Sequence, residues 1–166
     1  MLELVQRYYT AERQLALLGA VTGMAMLLGA CLLLHSAAVT SLLKGMAYAL
    51  VVSGSLLASS GLGYAAMVGS RLPAAVAAYK GQSDNQIRHQ EVARMENVLA
   101  SGYTVGLATF TAILLMGLAL IFTAQDASSW KGVALALLAT GTFGHCIEAY
   151  SQFVNQQYLL ALQPVK

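Results

Sequence analysis

The sequence predicts an all-α polytopic membrane protein: four transmembrane helices, set as two parallel helical-hairpin repeats with short cytoplasmic helix extensions. Three observations predict it. The 166-residue chain is 58% hydrophobic and only 10% charged, whereas a soluble domain carries about 25% charged residues to solvate its surface. Four apolar runs, at about 15–35, 45–70, 97–125 and 131–153, each match the roughly 20 residues that span a bilayer core. The first three hold no Asp, Glu, Lys or Arg, and after Lys131 the fourth holds only Glu148. Finally, of nine Lys and Arg residues only Lys44 and Lys131 fall on one side of the alternating spans. The positive-inside rule then puts both termini and the 71–96 loop in the cytoplasm, in one membrane domain covering 1–166.

Span one follows fourteen residues in which Glu3 and Glu12 balance Arg7 and Arg13. A secretory leader has a basic start and a short apolar core, so the first run reads as an uncleaved span. "LGAC" (Leu28–Cys31) has the form of a lipoprotein box, but the three leucines after it are not the polar residues that normally follow one. Span two begins at "KGMAYALVVSGS" (Lys44–Ser55), which matches "KGVALALLATGT" (Lys131–Thr142) at the start of span four. With "GAVTG" (Gly19–Gly23) set against "GYTVG" (Gly102–Gly106), the match suggests a duplicated two-span unit. The lysines of the two "KG" steps read as interface anchors.

"RLP" (Arg71–Pro73) is expected to end or kink span two, because proline disfavours helix in the residue before it. Ser83 and Gln86 then stand at capping-box spacing, and a helix from Asp84 would run into span three. Ile87, Glu91, Met95 and Val98 share one face of it. With the first and last fourteen residues it would form a collar beneath the bundle. Tyr8, Tyr9, Tyr64, Tyr103 and Tyr150 fall at the cytoplasmic interface and Tyr48 and Trp130 at the other, as aromatic belts do.

Small residues dominate the span faces. Gly54, Ala58 and Gly61 of span two, Gly19 and Gly23 of span one, and Gly102 and Gly106 of span three are the candidate packing or partner-binding positions. Such residues let helix backbones approach closely in lipid. The one polar island is "FGHCIEAY" (Phe143–Tyr150). His145 and Glu148 share a helical face there, about 25 Å along span four and so just inside the cytoplasmic boundary. The island has two readings: a structural hydrogen bond or ion pair with Arg13, Arg94 or His145, or a proton- or cation-binding site formed by Glu148 beside a titratable histidine.

No catalytic residue, metal site or cofactor is expected. The chain lacks a GxSxG elbow, an HExxH pair and a phosphate-cradling loop. Its single His/Glu pair is reversed relative to di-iron bundles. Cys31 and Cys146 lie near opposite faces, too far apart for a disulfide, and read as small core hydrophobes. The net charge of +2 suits anionic membrane lipid and gives no sign of nucleic acid.

With no catalytic set, the expected function is intramembrane protein–protein contact, with a partner protein, in a homo-oligomer, or both. In size, span count and cytoplasmic termini the whole chain resembles the small four-helix inner-membrane immunity proteins that neutralise membrane-acting toxins, including type VI secretion effectors. The resemblance implies a pore-forming toxin bound in the bilayer. It rests on no motif, so it carries over no functional residue. The alternative is a small transporter, channel or accessory subunit using Glu148 and His145. In its four short spans the chain also resembles the small multidrug exporters, but it lacks their glutamate in span one.

Overall fold

The computed structural model describes residues 1–36 and 40–163; Lys166, one of the charges assigned to the cytoplasmic side, and part of the first hairpin lie outside the described residues. Among the described residues the chain is all helix and turn. The helices are α1 (Leu2–His35), α2 (Ser41–Tyr79), α3 (Asp84–Asn97), α4 (Thr104–Thr123) and α5 (Ser129–Leu162), and a π turn at Val98–Gly102 joins α3 to α4. Four helices are long and apolar enough to cross a membrane: α1, α2, the 40-residue helix made of α3 and α4, and α5.

Caps define the starts of three of them. The Thr40 and Ser128 hydroxyls accept from the backbone N–H of Leu43 and Lys131, satisfying donors that a helix start leaves open. Ser83 and Gln86 form the capping box expected of them. Lys131 also fastens the second hairpin, donating to the Ile121 carbonyl at 2.8 Å and pairing with Asp126 at 3.1 Å. A cation at the end of α4 suits the negative pole of that helix.

The helices pack in the sequence α1 on α2, α2 on α5 and α5 on α4, while α1 and α4 share no extended contact. Glycine sets each interface. On the α1–α2 seam a Cβ at Gly61 would lie 2.6 Å from the Ala20 nitrogen, and Gly23 lies against the backbone of Gly54 and Ala58. On the α4–α5 seam Gly141 receives Leu114 and Gly144 receives the Phe110 ring. The α2–α5 crossing is reciprocal: Gly45 lies on the backbone of Ser129, and Gly132 on that of Leu42 and Met46.

At the end where the chain begins and α5 finishes, a separate core forms from Val5, Tyr8, Tyr9, Val68, Ile87, Met95, Tyr158 and Leu162. This core bears on two expectations from the sequence reading. Of the two outcomes expected at Pro73, an end to the helix is excluded: α2 continues to Tyr79, where Leu72, Ala75 and Tyr79 of its last turns pack on the core. Tertiary packing of this kind overrides local propensity. Tyr8 and Tyr9, expected in an interfacial belt, are core residues, and Tyr103 also turns inward. A further departure lies elsewhere: Cys31 and Cys146 are exposed on the outer faces of α1 and α5, not in a core.

Candidate functional site

Two polar centres stand out. The first lies in the terminal core around Glu91, whose carboxylate is fully buried. One oxygen accepts from the Tyr79 hydroxyl at 2.6 Å and the other from the Tyr158 hydroxyl at 2.8 Å. Arg94, one turn along α3, donates from Nη2 at 2.7 Å and from Nε at 3.1 Å. Its guanidinium sits 5.2 Å and 5.3 Å from the ring centres of Tyr8 and Tyr9, and Tyr8 stacks on Tyr158 at 4.1 Å. Desolvation alone would raise the Glu91 pKa, but the hydrogen bonds and charge of Arg94 and the two tyrosine hydroxyls outweigh it and hold it below the usual carboxylate range. Side chains from α1, α2, α3 and α5 thus converge on one satisfied ion pair. Its chemistry is that of a tie, since the carboxylate's acceptors are taken up by five hydrogen bonds, the Arg94 Nε being shared between both oxygens.

The second centre is a cavity of about 540 Å³ on the open side of the bundle, between α1 and the α3–α4 helix, with α2 and α5 as its floor. Leu15, Leu57, Phe110 and Ile147 make its walls mostly apolar. The π turn shapes one wall. It holds one residue more than an α turn, which shifts the register of α4 by about one position, and Val98, Gly102 and Tyr103 face the cavity from it. No spacing in the sequence marks this π turn, which interrupts the continuous helix expected from Asp84 into span three.

Three polar groups of the cavity are mutually satisfied. Asn155, almost fully buried, donates to the Tyr103 hydroxyl at 2.6 Å, and that hydroxyl lies 3.0 Å from the Ser151 hydroxyl. On the opposite wall Tyr64 donates to Glu12. Glu148 differs. Half-buried in the cavity wall, its carboxylate rests on Gly106 and forms no hydrogen bond or ion pair with any described residue.

This corrects the structural partners expected for Glu148. Arg94 is held by Glu91, and His145 is hydrogen-bonded to Thr111 at 3.2 Å and does not line the cavity. Arg13 lies instead beside Gly69 of α2. Of the small-residue positions, Gly23, Gly54 and Ala58 are used at the α1–α2 seam, Gly61 both packs at that seam and lines the cavity, Gly19 and Gly102 line the cavity, and Gly106 supports Glu148. Gly19 has open space where a side chain would stand.

The described residues bring together no three His, Cys, Asp or Glu side chains able to hold a metal ion. A free carboxylate in an apolar wall can take a proton or a cation. No family model, curated protein or solved structure matches the chain.

Proposed function

We propose that the chain is a non-enzymatic multi-pass protein of the bacterial inner membrane, with both termini cytoplasmic, that acts by holding a partner protein within the bilayer. One observation carries this reading. Only 6% of the most apolar window of the α3–α4 helix is buried, against 28% in α1 and α2 and 33% in α5. Helix α4 has one extensive neighbour, α5, and leaves Val105, Leu115, Met116 and Phe122 exposed. In lipid, helices associate through side-chain packing, and a helix with one free face retains surface for that purpose. The partner implied by the resemblance to four-helix immunity proteins is a transmembrane segment of a membrane-acting toxin, such as a type VI effector. A second copy of the chain would use the same face.

The proposal includes duplication of a helical hairpin. It is supported by the paired "KG" steps, by the reciprocal Gly45–Ser129 and Gly132–Leu42 contacts, and by connections of matching length, His35 to Ser41 and Thr123 to Ser129. Reciprocal contact of equivalent positions is what a two-fold relation between two units produces. The transporter, channel or accessory-subunit reading has one observation in its favour, the free Glu148 in a cavity wall. His145 stands on the adjoining turn of α5, hydrogen-bonded to Thr111 and outside the cavity lining.

Photo-crosslinking tests the partner reading. With p-benzoylphenylalanine replacing Leu115 or Phe122 in the native host, irradiation should yield an adduct with one protein, a secreted toxin. Adducts with lipid alone would contradict it.

A further inference from the structure

The cavity has a chemical character of its own, independent of any protein partner. Its volume of about 540 Å³ falls within the roughly 300–1,000 Å³ of small-molecule sites. A whole transmembrane helix, some 10 Å across and about 30 Å long, would need several times that space. Among its lining residues two are acidic, Glu12 and Glu148, and none is basic. Arg94 is bound to Glu91 and Arg13 lies by Gly69, while His145, one turn from Glu148 on α5 and close enough for its charge to act on it, is hydrogen-bonded to Thr111. Three aromatic rings, Tyr64, Tyr103 and Phe110, stand in the same walls.

Carboxylate and aromatic faces attract the same thing, a cation whose charge is spread over an apolar body. Glu12 already accepts from Tyr64, which leaves Glu148 as the lining carboxylate without a partner among the described residues. Because α1 and α4 share no extended contact, the cavity opens between them. Its mostly apolar walls and one unpartnered carboxylate suit an occupant that is both apolar and cationic. We propose that this cavity binds a small lipophilic cation, with Glu148 opposite the charge and Tyr64, Tyr103 and Phe110 around the apolar body.

The probe is tetraphenylphosphonium, measured by equilibrium dialysis against the full chain in phosphatidylcholine nanodiscs, with empty nanodiscs subtracted. Saturable binding at one site is expected, undisplaced by the uncharged tetraphenylsilane. Glu148→Gln keeps the shape and removes the charge; it should weaken binding about tenfold or more, as loss of a charged contact does. Gly19→Phe places a ring in the open space beside Gly19 and leaves both carboxylates intact; it should abolish binding. The thermal unfolding midpoint of each variant checks that it is folded. No saturable binding, or binding that either variant leaves unweakened in a folded protein, would overturn the proposal. The crosslinking from α4 reads the partner separately, so either reading can fail alone.

Discussion

Glu91 and Glu148 are the same side chain in two surroundings within one bundle. Glu91 has no exposed surface and takes hydrogen bonds from Arg94, Tyr79 and Tyr158. Glu148 is half-buried, lies on a glycine, and receives none from a described residue. Burial by itself therefore does not mark a working group here. The more deeply buried carboxylate is the more fully committed to structure, while the one left with unused acceptors borders empty space.

The largest effect should come from breaking the tie. Arg94→Ala leaves Glu91 and two tyrosine hydroxyls around an unpaired buried charge, and removal of one partner of such a pair costs about 3–5 kcal/mol. Chemical unfolding in mild detergent should register a loss of that size. A loss below about 1 kcal/mol, the usual worth of an exposed pair, would mean that the terminal core is open to water.

Next in size is the α2–α5 crossing. Gly45→Ala puts a methyl group against the Ser129 backbone, which cannot swing aside as a side chain can, and overpacking of this kind costs about 1–3 kcal/mol. Gly63→Ala, where nothing lies within 4 Å, should instead gain about 0.5–1 kcal/mol from the better helix propensity of alanine. Thermal unfolding of the two variants together separates contact from propensity. Equal effects would mean that the crossing is looser than these contacts require.

Acid should act on the same tie. The Glu91 pKa lies below its ordinary 4.5 in the folded protein, so the unfolded chain binds a proton there more readily. Its contribution to stability is then complete above that value and is lost as pH falls through the lowered folded one. The protection of α3 amides relative to their intrinsic exchange rates should fall below about pH 4.5, the ordinary value, and in Glu91→Gln that acid dependence of protection should disappear. Persistence in the variant would assign it to another group.

Much of the molecule is legible in the sequence because it is written locally. Span length, the Ser83–Gln86 capping box and the shared face of Ile87, Glu91 and Met95 each depend on residues within a few turns of one another. The Glu91 tie is not legible, since Tyr79, Arg94 and Tyr158 come from three helices and no spacing connects them. The "KG" steps are visible as a repeat, yet their lysines are the conspicuous residues, whereas the glycines allow the crossing. Pro73 does not stop its helix because the turns beyond it are held by packing from α1, α3 and α5. The cavity depends on α1 and α4 standing apart, a relation between distant segments, so Glu148 can be singled out as polar but its surroundings cannot be foreseen.

The most direct test of the contrast is the unfolding of Glu91→Gln and Glu148→Gln, measured beside the unaltered chain in one detergent at about pH 7, where both carboxylates of an unperturbed chain are ionised. Glu91→Gln should lose roughly 3 kcal/mol, as a broken buried pair does. Glu148→Gln should stay within about 0.5 kcal/mol of the parent, as substitutions away from a structural tie do. Comparable losses in both variants would contradict the division, making Glu148 a second tie and the cavity a packing fault.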